Sequence, residues 1–299
     1  MIRFLFAGLA ALLVGTASAA ERKLRVLTTF LPAYSFAVNV AGEHATVENL
    51  LPGGVSLHDF QLTPAELRKI AAADLLFVNG LGMETFLDRA IASAGPGAKE
   101  KVAVLSAGLS EKLIPEEHDH HHSEEGHHHD YDPHIWLDPW LAMHCVTNVL
   151  KAFQQADPGR ANAYAANAQR YLEKLAKLDR EIASLIEPVK NVPLITYHNA
   201  FRYFARRYGL QIAGVVELVP EVSPSPREMR TLHQTIRARG AKALFTEPGG
   251  RTRLATQIAK DTGIKLAELD PLETGDLAAD SYELGLRRNA ETLRKTLAD

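Results

Sequence analysis

The chain has 299 residues, 46% of them hydrophobic and 23% charged, with a formal net charge of −3 when histidines are neutral. That composition describes a packed globular protein rather than a disordered one, and the length suits two domains of ordinary size. The slight acidic excess argues against nucleic acid as a general partner and leaves a local basic patch open.

The N-terminus reads Met1-Ile2-Arg3, then an apolar run over 4–14, then Ala17-Ser18-Ala19. A basic start, an apolar stretch too short to span a bilayer comfortably and a small-x-small site predict a signal peptide over 1–19, cleaved after Ala19. A retained anchor is the weaker reading, and no cysteine stands at the site for lipid attachment. The single cysteine, Cys145, leaves an exported chain without an internal disulfide. It sits in an apolar helical stretch and reads as a buried small side chain.

From there strands and helices alternate. Residues 24–29 read as a strand, 32–41 as a helix and 46–51 as a short strand. Thr63-Pro64-Ala65-Glu66 is a helix start, with a Thr cap, Pro in the first turn and Glu three residues on. A buried strand over 74–78, a helix over 83–94 and a strand over 101–105 follow. Residues 116–131 are charged and lack apolar periodicity, so they read as a loop. A helix is expected over 139–155, and a second, about 45 Å long, over 158–187. In the latter Tyr164, Ala168, Tyr171, Leu175, Leu178, Ile182 and Leu185 recur at spacings of three and four. The second half repeats the rhythm: strands over 193–197, 210–216, 243–246 and 265–269, helices over 200–208, 226–239 and 251–262, and a terminal helix from 281. The pattern predicts an α/β fold of two lobes, each a parallel sheet flanked by helices, joined by one long helix. The expected division is a first lobe over 20–156, a connecting helix over 157–189 and a second lobe over 190–299.

In such sheets ligands bind beyond the carboxyl ends of the strands. His58, His134, His198 and Asp270 all fall where a strand has just ended, two in each half. A site made of them would lie between the lobes. Three imidazoles and a carboxylate suit zinc, which takes four nitrogen, oxygen or sulfur ligands in a tetrahedron. Singly, each is weak evidence: a histidine at a strand end is more often a surface or hydrogen-bonded residue, and Asp-Pro is ordinary turn chemistry. The segment Asp132-Pro133-His134-Ile135-Trp136-Leu137-Asp138-Pro139 is more specific. Asp132 and Asp138 read equally well as carboxylates that fix histidine tautomers or as turn and cap residues. Upstream, His118, His120, His121, His122, His127, His128 and His129 alternate with acids and form a second, weaker metal site or a tolerated solvated insertion.

Four stretches carry a resemblance: Leu51-Pro52-Gly53-Gly54 with His58-Asp59-Phe60; residues 132–139; Tyr197-His198-Asn199-Ala200-Phe201 with Tyr203-Phe204 and Tyr208-Gly209; and Glu268-Leu269-Asp270-Pro271-Leu272. Through them the chain resembles the cluster A-I metal-binding proteins of ABC importers, most of all the periplasmic zinc-binding (ZnuA-like) type, over essentially the whole mature region. The resemblance implies ligands at His58, His134, His198 and Asp270. It also implies two lobes on one connecting helix. Manganese-binding relatives usually carry Glu at the third position, and His198 there favours zinc, imidazole being the softer donor. Two departures stand out. The disulfide of some zinc relatives has no counterpart, and some relatives use water or a neighbouring acid in place of the aspartate, with Glu247 the reserve candidate here although it reads more readily as a hydrogen-bonding acid behind a ligand.

The expectation is a periplasmic, monomeric zinc-binding protein that delivers Zn²⁺ to an inner-membrane ABC permease, with periplasmic zinc chaperones as further partners, and is not an enzyme. The alternatives are a manganese or iron importer protein, a surface adhesin and a zinc-dependent hydrolase. The last would need an open metal position for water. Neither a His-Glu-x-x-His pattern nor a Gly-x-Ser-x-Gly elbow is present.

Overall fold

A computed structural model describes residues 22–53, 55, 60–93, 97–116, 130–217, 223–249 and 252–298. In the first lobe β1 (Leu24–Thr28), β2 (Ala45–Asn49), β3 (Leu75–Val78) and β4 (Val102–Val104) form a parallel sheet of order β2-β1-β3-β4. In the second β5 (Pro193–His198), β6 (Gln211–Glu217), β7 (Ala243–Thr246) and β8 (Lys265–Glu268) repeat it as β6-β5-β7-β8, again parallel. Each sheet therefore reverses its strand order beside its first strand. There the helices leave on opposite faces and open a crevice at the carboxyl ends.

The helices are α1 (Leu31–Ala41), α2 (Pro64–Ala72), α3 (Thr85–Ser93), α4 (Pro139–Ala156), α5 (Ala161–Ile186), α6 (Arg202–Tyr208), α7 (Pro226–Arg239), α8 (Thr252–Thr262) and α9 (Ser281–Leu297). Every residue of β3 and of β7 is buried, as expected of parallel strands covered on both faces. The capping box at Thr63 forms as read, with Glu66 reaching back to the Thr63 N–H. Cys145 is a buried free thiol in α4.

The connecting helix is α5, and it packs against α1, α4 and α9. Its buried stripe runs from Tyr164 to Ile182 as the spacing predicts, but ends on Ile186, with Leu185 only half-buried. It is also shorter than the 158–187 expected, because Pro158 and Pro188 fall in separate 3₁₀ turns, Pro158–Arg160 and Glu187–Val189. A proline lacks the N–H that continues a helix. Helix α6 starts two residues later than expected and stops at Gly209, whose φ of +72° is the left-handed cap that glycine adopts without strain. Among the described residues no helix is long and apolar enough to cross a membrane.

Candidate metal centre

His134 lies at the start of a 3₁₀ turn, Ile135–Leu137, inside the interface between the lobes. Asp132 dictates its pose. One carboxylate oxygen of Asp132 accepts the His134 backbone N–H at 2.9 Å and lies 2.8 Å from Nδ1. The ring is 5% exposed, and its Nε2 makes no hydrogen bond, 3.5 Å from Glu273 Oε1. Burial opposes a charged imidazole here, but Asp132 and Glu273 outweigh it and raise His134 to about 10.

His198 is the last residue of β5, at the point where the second sheet reverses its strand order. Its Nδ1 lies 3.0 Å from Oε1 of Glu247, which follows β7. The two imidazoles stand edge to face, centroids 5.1 Å apart. Each is held at Nδ1 by a carboxylate, so Nε2 is the nitrogen each offers to a ligand. Together with Glu273 they present one ligand atom apiece within 4.8 Å of one another, a group able to hold a metal ion.

Glu273 was not among the residues read from the sequence. Asp270 was, and the structure gives it other work. Its Oδ1 accepts the Leu272 N–H at 2.8 Å, and its backbone N–H and carbonyl both pair with the Asn289 side chain. This is an Asx turn, the usual chemistry of an Asp before Pro. Leu272 consequently takes a left-handed φ of +62°. Its side chain lies over Gly285 of α9, where a Cβ would come within 2.2 Å of Leu272 Cδ2. The turn carries Glu273 onto His134. Oδ1 of Asp270 is engaged in this turn, while the next acid in the chain, Glu273, is the one that meets His134 and His198.

The other readings are distributed as follows. Asp132 orients a histidine, whereas Asp138 caps α4 by accepting the Trp140 N–H. Glu247 is the carboxylate behind His198 and is absent from the group of three. His58 and the histidines at 118, 120–122 and 127–129 lie outside the described residues. The ends of the histidine tract are described. Pro115 and Tyr131 form an antiparallel bridge, and Asp132 N–H donates to Ile114.

Several contacts from one lobe support groups of the other. The Tyr203 hydroxyl of α6 donates to the Asp132 carbonyl at 2.8 Å and accepts the Ile114 N–H at 3.0 Å. The segment after β8 is tied to α1: Leu31 N–H to the Glu273 carbonyl, Ser35 to Ala278 and Asn39 to Ala279. Below His134, Asn79 donates to the Pro133 carbonyl at 2.9 Å. Glu84 in turn accepts the Asn79 and Gly80 N–H groups and the Thr29 hydroxyl. Burial raises its carboxyl to about 7 in spite of those donors.

Over residues 26–296 the chain matches the family described as zinc-uptake complex component A, periplasmic. It is 33% identical over 293 residues to the zinc-binding protein AdcA of Streptococcus pyogenes serotype M3, covering 93% of this chain and 56% of that one. It therefore spans little more than half the length of that relative. It is 31% identical over 317 residues to the high-affinity zinc uptake system protein ZnuA of Brucella suis biovar 1, covering 95% and 94%. A crystal structure of ZnuA superposes with a TM-score of 0.78 at 27% identity, covering 92% of this chain and 100% of that one. Two parallel sheets of the same order, a connecting helix and oriented histidines between the lobes agree with those likenesses, and the chain belongs to the family of periplasmic zinc-uptake component A proteins.

Proposed function

We propose that this protein captures Zn²⁺ between its lobes in the periplasm and hands it to an ABC permease of the inner membrane. The observation that carries the reading is the pair of imidazoles, His134 and His198, each oriented by its own carboxylate and both facing Glu273. Imidazole nitrogens suit zinc, and a carboxylate behind each raises its basicity as a ligand. His58 completes the set as the fourth ligand, in agreement with the family resemblance. Glu273 takes the carboxylate role in place of Asp270.

Bonds of about 2.0–2.2 Å to one tetrahedral ion put the ligand atoms about 3.3–3.6 Å apart, and Nε2 of His134 already lies 3.5 Å from Oε1 of Glu273. Four protein ligands leave no open position for an attacking water, which favours capture over hydrolysis. The names of the relatives, a zinc-binding protein and a zinc uptake protein, favour zinc over manganese or iron. Release of the signal peptide after Ala19, action as a monomer, exchange with periplasmic zinc chaperones and a weaker site in the histidine tract belong to the same reading.

Metal analysis of the protein isolated from its native periplasm tests it, together with competition titration of His134→Ala and His198→Ala. One tightly bound zinc per chain, weakened in both variants, is the expected result. Zinc bound with unchanged affinity in both variants would place capture elsewhere.

A further inference from the structure

The motif around His134 contains a residue that metal capture leaves unexplained. Trp136 is fully buried, and its ring centroid lies 5.2 Å from that of His134. Phe30 packs edge-on against the indole at 4.8 Å. The indole Nε1–H donates across the lobe interface to the Pro271 carbonyl at 2.7 Å. The Trp136 backbone carbonyl accepts the Tyr282 hydroxyl at 2.6 Å. One side chain thus touches the ring of His134 and holds the peptide two residues before Glu273.

The position of that peptide is not self-determined. A leucine in the left-handed region is an uncommon conformation that neighbours must maintain. Leu272 is kept there by the Asp270 side chain from within the turn, by the gap over Gly285 and by the Trp136 donor from the other lobe. Without the indole N–H, the Pro271 carbonyl would lose a partner in a buried setting, and the turn would lose a direct tie to the segment that carries His134.

The geometry points to Trp136 as a positioning residue that sets the Glu273 carboxylate at the metal site through the Pro271 carbonyl. It reaches the ion only through Glu273, and this assignment rests on the reading of Glu273 as a ligand. Outer partners of metal ligands typically govern affinity by about 10–100-fold, and that is the size of effect expected.

The experiment is a double-variant cycle read by zinc competition titration, with Trp136→Phe, Glu273→Gln and the two combined. Thermal melts of the metal-free proteins run alongside to establish folding. Trp136→Phe keeps an aromatic ring and removes only the donor and part of the bulk. It is expected to weaken zinc about 10–100-fold in the parent, and by no more than about twofold once Glu273 is already Gln. An equal loss in both backgrounds would make Trp136 a merely structural residue and overturn the proposal, as would no loss in the parent. If Glu273→Gln alone binds zinc as tightly as the parent, the reading of the centre fails and the positioning role falls with it. Should Trp136→Phe not fold, tryptophan is replaced biosynthetically by benzothienylalanine in a Trp140→Phe background. That analogue keeps the shape and removes only the N–H. The same pattern of losses is expected from it, and the same two results would overturn the proposal.

Discussion

Glu84 accepts the backbone N–H of Asn79 at 2.7 Å, while the Asn79 side chain holds the Pro133 carbonyl one residue before His134. A buried carboxylate thus underpins the peptide that presents a candidate ligand. Its carboxyl, raised from 4.5 to about 7 by burial, makes stability depend on pH. Between those values the folded chain holds a proton that the unfolded chain has released. Stability from this group is therefore present at the acid end and lost as pH rises through about 7, a difference of about 3 kcal/mol. Glu84→Gln cannot titrate. Urea unfolding of both proteins with chelator present, at several values between about pH 4.5 and 7.5, should show the gap between them shifting toward the variant as pH rises. Parallel curves would refute the assignment.

Asp270 and Glu273 can be separated by isosteric changes. Asp270→Asn keeps an oxygen that accepts the Leu272 N–H and should leave zinc affinity close to that of the parent. Glu273→Gln removes an anionic donor and should cost a few kcal/mol, against a whole-site scale of ~10–16 kcal/mol. Competition titration with a chromophoric chelator decides it, and the opposite ranking would restore Asp270 as the ligand.

His198 is the position for altering metal preference. His198→Ala should weaken zinc far more than loss of any one histidine from the 118–129 tract, because it is fixed at a strand end by Glu247 whereas the tract histidines can substitute for one another. His198→Glu should move preference toward manganese, since a carboxylate suits the harder ion. Paired zinc and manganese titrations of both variants provide the check, and parent-like zinc affinity in His198→Ala would count against the site.

Deleting residues 118–129 should lower zinc stoichiometry and leave one tight ion. The Pro115–Tyr131 bridge and the Glu116 N–H to Asp130 bond already bring the two ends together, so a short turn can close the gap. Calorimetric titration of the deletion should retain the tight phase, and its loss would mean the tract supplies a tight ligand.

Much of the fold was legible because it follows local patterns. The α5 stripe and the Thr63 capping box arise from neighbours along the chain, and β3 announces itself as an unbroken apolar run. His198 was legible as a strand-end residue in a parallel α/β pattern, and His134 through the motif over 132–139 around it. Glu273 was not, because its place depends on distant residues. The turn before it requires space at Gly285, 13 positions on, and a donor from Trp136, 135 positions back. Neither leaves a periodic mark in the sequence. Helix ends shifted for a local reason, where Pro158 and Pro188 diverted a few residues into 3₁₀ turns.

The segment between β8 and α9 is second-lobe by chain order yet is held from both lobes, on one side by Asn289 of α9. Leu31, Ser35, Asn39 and Trp136 all hold it, and all belong to the first half of the chain. The mechanical seam of the molecule therefore does not follow the sequence. Any rotation that parts the two sheets has to break either these ties or those to Asn289 and Gly285 of α9, so Glu273 sits on the seam itself. The Tyr203 hydroxyl, bonded across the seam to Asp132, is a contact that such a rotation has to break.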